Sequence, residues 1–248
     1  MITIKSIMKT GVICFGFLFF TACKTNDNLT AVQIVERSCE AHGGLNNWKN
    51  IKSLSFDKST RLYNADGSIE SDVDQHQLIT FSPGRTIRIN SIDSSKMSLF
   101  LNEGVVQKQL NGQLVNDSTE LEKAKRAMLA AEYVIKQPFA LLDKGVELTL
   151  EGEEDIEGKT YYAISVAYEN DGPDADKWTY YFNKNDYTLS YNKVVLADHS
   201  SWVENLTYDT NTDFKFNARR KSYRLNEKGE KTYLRAEYYY RNYKTTTL

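Results

Sequence analysis

Cys39 and His42 stand three residues apart, a spacing that brings two side chains together on one helix face. A thiol beside an imidazole is the smallest unit of nucleophilic catalysis. The same two residues also continue an apolar series through Val32 and Val35, so the competing reading is a face packed against the rest of the molecule. Packing accounts for both and is the expectation; a lone cysteine buried in this way is inert. Asp72, Asp74 and His76 alternate along one strand and share a face, a set that a metal ion could use but that is expected to be a solvated surface, since carboxylate-rich polar faces are common on half-exposed strands. Asp198-His199-Ser200-Ser201 contains the three residue types of a hydrolytic triad, but as neighbours, whereas triads assemble from distant segments. Asp171, Asp174 and Asp176 offer oxygens to a hard cation without the EF-hand spacing, and read as a solvated turn. There is no glycine-rich phosphate loop, no CxxC pair and no HExxH helix. No catalytic residue, metal ligand or cofactor is therefore assigned. A hydrolase using His42 or His199 stays as a minor alternative.

The elements that must position these residues are mostly strands. Thr30, with Gln33 three residues on, opens a helix that Gly43 and Gly44 stop. A further turn surrounds Trp48, and from Leu54 the hydrophobic period becomes two. Strands are expected over 70–82, 85–92, 96–101, 104–109 and 113–116. The turns between them are marked by Asn64-Ala65-Asp66-Gly67, Ser82-Pro83-Gly84, Asp93-Ser94-Ser95 and Asn111-Gly112. One helix interrupts the series: Asp117 with Glu120 caps it, Leu121, Ala124, Met128, Ala131 and Ile135 form its stripe, and Pro138 ends it. Strands resume over 146–154, 159–168, 177–183, 188–196, 203–209, 214–225 and 232–242, many of them tyrosine-rich. Strands this numerous, joined by short turns, make an antiparallel sheet that curls to hide its edges, with the helices covering its concave side.

The N-terminus carries a different message. Lys5 and Lys9 precede Gly11 to Phe20, ten residues without charge. As a helix these cover about 15 Å, half of the ~30 Å hydrocarbon core, so the run does not span. A basic start, a short apolar run and small residues form a cleavable signal. Here the small residues are Thr21 and Ala22, with Cys23 directly after, which resembles the bacterial lipobox and implies cleavage before Cys23 and lipid on its sulfur. The expected organisation is a signal over 1–22, a polar tether over 23–29 and a single domain over 30–248. Removing 1–22 takes two lysines and no acid, so the net charge moves from −2 to −4. With mixed charge and no basic run, the chain points away from nucleic acid. Cys39 is left without an intrachain partner, so stability must come from the core.

Two stretches carry a family resemblance. Ala41-His42-Gly43-Gly44…Trp48…Ile51…Leu54-Ser55-Phe56 resembles the N-terminal signature of Bacteroidetes outer-membrane lipoproteins, and Trp178-Thr179-Tyr180-Tyr181-Phe182-Asn183…Tyr187-Thr188-Leu189 resembles their central hairpin. Those proteins are similar in layout to the LolA/LolB lipoprotein carriers. The resemblance implies a mainly β domain: one strongly curved antiparallel sheet forming an unclosed barrel, helices over its concave side, and an apolar cavity for acyl chains. On the 177–183 strand Trp178, Tyr180 and Phe182 share one side. With Trp48, Leu121 and Met128 they are the candidate cavity lining. The resulting expectation is a monomeric lipoprotein of the cell envelope, most simply of the outer membrane, held by lipid on Cys23 and binding a lipid or acylated ligand. An accessory lipoprotein that binds a protein partner is the alternative.

Overall fold

The computed structural model describes residues 29–93, 96–169, 172 and 175–247. Cys23, the expected signal, the expected tether up to residue 28, Ser94, Ser95, Asp171 and Asp174 lie outside the described residues.

Helix α1 (Ala31–Ala41) begins as its capping box dictates: Gln33 N–H donates to Thr30 Oγ1 at 3.2 Å, and Thr30 N–H to Gln33 Oε1 at 2.9 Å. Its buried arc comprises Ala31, Ile34, Val35, Ser38 and Cys39, continued by His42. Val32, placed on this face from the sequence, is 47% exposed. The arc is centred between Val35 and Ser38, and at 3.6 residues per turn Val32 falls at its rim. Gly43 has φ +123°, and a Cβ there would meet Asp213 O at 2.6 Å and Phe214 Cδ1 at 2.7 Å, so no other residue ends this helix without displacing the chain beside it. The short helix α2 (Leu45–Lys49) follows, and its Trp48 stacks on Phe139 at 4.6 Å between ring centroids.

Thirteen strands among the described residues form one antiparallel sheet. The first wing runs β1 (Ile51–Tyr63), β2 (Ile69–Thr80), β3 (Thr86–Ser91), β4 (Met97–Asn102), β5 (Val105–Leu110) and β6 (Gln113–Leu114). Helix α3 (Ser118–Ile135) and a 3-10 turn (Phe139–Leu142) cross to the second wing: β7 (Val146–Ile156), β8 (Lys159–Tyr168), β9 (Lys177–Asn183), β10 (Leu189–Val195), β11 (Ser200–Asp209), β12 (Phe216–Leu225) and β13 (Lys231–Thr247). Within each wing neighbours in sequence are neighbours in the sheet. The wings join by one further pairing, β1 with β13, in which Leu54 faces Thr245 and Lys58 faces Tyr240. This pairing explains why β1 starts at Ile51 and β13 runs to Thr247, beyond the alternation visible in the sequence.

The sheet curves but does not close, since β6 and β7 are free edges. Laid flat it would be about 58 Å wide, whereas α3, which links the two edges, is about 27 Å long. Curvature brings the helices and both wings into one core: Val35, Phe56, Ile87, Met128, Ile164 and Tyr180 belong to a single apolar cluster. Helix α3 lies over β3–β5, tied by Lys108 to Glu120 at 2.8 Å and by Arg85 to the buried Glu132, with Nε to Oε1 at 2.9 Å. Helix α1 lies against β7, β9 and the 3-10 turn. Both edges resist pairing with other chains: β6 has two residues, and β7 exposes Glu147, Glu151, Glu153, Glu154 and Asp155. No helix of the described residues is long and apolar enough to cross a membrane.

Candidate functional site

Between α3 and the concave face of the sheet is a cavity of about 400 Å³. Its position follows from two stripes on α3. Ala124, Met128, Glu132 and Ile135 are buried against the sheet. The neighbouring stripe, Ala127, Ala130, Ala131 and Val134, lines the cavity with small apolar side chains. These short side chains leave unfilled the space between the helix and the opposite wall, which Trp178, Val194, Leu196, Val203 and Tyr238 continue in apolar terms.

The floor is polar. Along β12, Arg220, Ser222 and Arg224 point into the cavity, as period two requires. Arg220 is 5% exposed and donates from Nε to Asn205 Oδ1 at 2.8 Å and from Nη2 to Asn192 Oδ1 at 3.2 Å. Asn205 is itself fixed through Nδ2 to Leu189 O at 2.7 Å. Arg224 donates from Nη1 to Ser201 Oγ at 2.8 Å. Lys58 of β1 places Nζ 5.2 Å from the ring of Tyr238 and 5.7 Å from that of Tyr240. Arg235 lies at the rim, where it pairs with Glu70. Burial pushes the Tyr240 hydroxyl up, yet the fields of Lys58 and Arg220 outweigh burial and bring it below its ordinary value. Burial raises Tyr180, Tyr208 and Tyr243 instead.

The six residues expected to line a cavity are divided by the structure. Trp178 lines this one. Trp48 lines a separate cleft of about 300 Å³ with Leu45, Phe81 and Phe139. Met128, Tyr180 and Phe182 are fully buried core residues and line neither space, and Leu121 is half-buried. The aromatics of β9 do share one face, but Tyr180 is packed beneath Tyr133 and Gln137 and Phe182 is in the core, which leaves only Trp178, at the end of the strand, beside the cavity. Ala131, grouped in the sequence with the core-facing stripe of α3, lines the cavity instead, while Arg220, Lys58, Arg224, Ala127, Ala130 and Val134 were not singled out in the sequence. Three alanines within five residues of a helix rich in charge (127, 130 and 131) are the signal that could have found the stripe.

The other chemical candidates have ordinary surroundings. Cys39 is fully buried, and burial, with Glu40 and Glu36 nearby, pushes its thiol up to about 12, so no thiolate forms at neutral pH. His76 Nδ1 is 2.7 Å from Asp57 Oδ1 on the outer face, while Asp72 and Asp74 face Arg61 and Arg241. His199 Nδ1 is 2.7 Å from Asp198 Oδ1 beside the cavity. Among the described residues no three His, Cys, Asp or Glu side chains are placed to hold a metal ion.

His42 is 2% exposed, with Nδ1 2.8 Å from Ser38 O and its ring edge-on to Tyr208 at 5.3 Å. Burial brings its imidazole down to about 4, and Lys215 acts in the same direction. Unfolded chains take up a proton below pH 6.5 that the folded protein refuses until about pH 4. This stability is complete above 6.5 and is lost as pH falls towards 4. Denaturant unfolding at pH 7 and 4.5 is expected to show the native protein losing about 2–3 kcal/mol more than His42→Gln. Equal losses would mean that His42 titrates freely in the folded state.

No protein-family model matches the chain, and no curated protein matches it in sequence. Its backbone is similar to a LolA superfamily protein from Nitrosomonas europaea, with a TM-score of 0.58 and 11% identity over 89% of this chain and 95% of the other. The fold is LolA-like. A domain from Vibrio parahaemolyticus described as an outer membrane lipoprotein-sorting protein gives 0.55 and 9%, covering 88% and 92%. A DUF1329 family protein from Desulfovibrio piger gives 0.54 and 8%, covering 87% and 93%. Identities this low speak for the backbone alone. In the LolA-like frame, the cavity under α3 is the space between the lidding helix and the curved sheet.

Proposed function

We propose that this protein is a lipid-anchored lipoprotein of the cell envelope that holds a lipid, or the acyl chains of a lipid-modified partner, in the cavity under α3. The observation that carries the reading is the cavity itself: about 400 Å³, walled by the Ala127, Ala130, Ala131 and Val134 stripe. This falls in the size range of small-molecule sites, which combine apolar walls with a few polar groups. The LolA-like backbone, shared with a domain described as a lipoprotein-sorting protein, supports the same reading.

Mass spectrometry of a solvent extract of the purified protein tests it. A covalent anchor stays with the chain, so the extract reports only bound ligand. Lipid in near-stoichiometric amount is expected; an extract without lipid, from a protein that also binds no apolar probe, would overturn the reading. Anchoring itself is tested at Cys23. Acyl chains contribute about 0.8 kcal/mol per buried methylene, and two or more hold a protein firmly on a membrane. Cys23→Ser is expected to move the protein out of the membrane fraction, or to leave uncleaved precursor, with the acyl mass lost. Unchanged fractionation and intact mass would count against the anchor.

A further inference from the structure

We propose that the cavity takes an amphipathic ligand with an anionic head group, its charge held by Arg220, Lys58 and Arg224 and its chain lying against Ala127, Ala130 and Val134. The proposal builds on the ligand-binding reading above and names the chemistry of the ligand.

Charge pairing differs between the two faces of the sheet. Arg219 and Arg220 are consecutive on β12 and point to opposite sides. On the outer face Arg219 donates to Glu237 at 3.2 Å, and Lys221 lies 3.5 Å from the same carboxylate. Arg61 and Arg241 likewise face Asp72 and Asp74. On the inner face no carboxylate lines the cavity among the described residues, although the chain carries a net charge of −2. Arg235 finds Glu70 at the rim, but Lys58, Arg220 and Arg224 form no ion pair among the described residues. Arg220 is the telling case. The residue is almost completely buried, and the hydrogen-bond partners of its guanidinium, Asn205 and Asn192, are neutral amides that orient the charge without cancelling it. A buried charge is costly unless an opposite charge meets it. Three cations converging on a low-dielectric space focus a positive field there, which the lowered Tyr240 hydroxyl registers. A carboxylate or phosphate ester in the cavity would receive charge-assisted hydrogen bonds from Arg220 and Arg224. The alanine stripe opposite offers nothing to a polar group and suits the chain.

Calorimetry on the full-length protein, stripped of co-purified lipid, tests this with three probes: decyl phosphate, decanol and inorganic phosphate. Decyl phosphate is expected to bind at least tenfold more tightly than decanol, and inorganic phosphate to show no saturable binding at millimolar concentration. Arg220→Gln is expected to remove most of the preference for decyl phosphate over decanol. Because Arg220 also holds Asn192 and Asn205, Lys58→Gln is the companion variant. Its side chain has no hydrogen-bond partner among the described residues, and about a threefold to tenfold loss for decyl phosphate alone is expected. Equal affinity for decyl phosphate and decanol would overturn the anionic head group and leave the ligand-binding reading intact. Inorganic phosphate binding as tightly as decyl phosphate would make the cavity a site for a free anion and overturn the acyl reading. Absence of binding by all three would overturn both.

Discussion

Ala130→Trp is expected to lower affinity for an apolar fluorescent probe at least tenfold while leaving the unfolding midpoint nearly unchanged. Ala130 is on the stripe of α3 that lines the cavity, and its side chain is exposed rather than packed in the core. A tryptophan brings about 150–250 Å² of its own surface. Placed there it fills the space between α3 and the inner face of β9–β13, so it competes directly with any occupant. It removes no core contact and breaks no hydrogen bond of the helix, so stability has little reason to fall. Glu122→Trp is the control, an equally large residue on an exposed part of the same helix that does not line the cavity. Probe titration with thermal unfolding decides the matter. Full affinity in Ala130→Trp would put the probe elsewhere on the molecule and take the cavity out of the functional account.

Met128→Asp is expected to cost about 4 kcal/mol or more, enough to leave much of the protein unfolded. Met128 has no exposed surface and packs into the central apolar cluster. A carboxylate there has no cation to meet it, and it stands one turn from Glu132, whose charge Arg85 already takes up. Met128→Leu preserves volume and should cost less than about 1.5 kcal/mol. Denaturant curves of the two variants give the comparison. A Met128→Asp protein as stable as Met128→Leu would mean that the side chain reaches water or the cavity, contrary to its burial. Loss of ligand binding in Met128→Asp therefore reports folding, and a contact test belongs on the alanine stripe one position away.

Much of the frame was legible because it is written locally. The Thr30–Gln33 box, the Asp117 cap, Pro138 and the Asn-Gly and Asp-Gly turns each act within a few residues, and the elements they delimit stand where expected. Less legible was what depends on neighbours distant in the chain. The start of β1 and the end of β13 exist as strands through each other. Buried Glu132 reads as a solvent-facing residue until Arg85, on the β2–β3 turn, is seen beside it. The cationic floor was hidden for a further reason. Basic residues on β12 alternate to both faces, Arg219 and Lys221 outward, Arg220 and Arg224 inward, and period two alone does not say which set meets carboxylates. The aromatic face of β9 was correctly grouped, but a fully packed ring and a cavity wall have the same sequence pattern. Only the distance between α3 and the sheet separates them.

β13, the last strand in chain order among the described residues, is the seventh of thirteen in the sheet. Each wing is a meander whose hairpins can zip as soon as their residues are made, but the seam between β1 and β13 joins the first strand of one wing to the last of the other and has to wait until both are present. Of the thirteen strands, the keystone is therefore made last. A premature stop that elsewhere would shave an edge here removes the strand on which β1 and β12 both close, leaving two half-sheets with exposed inner edges.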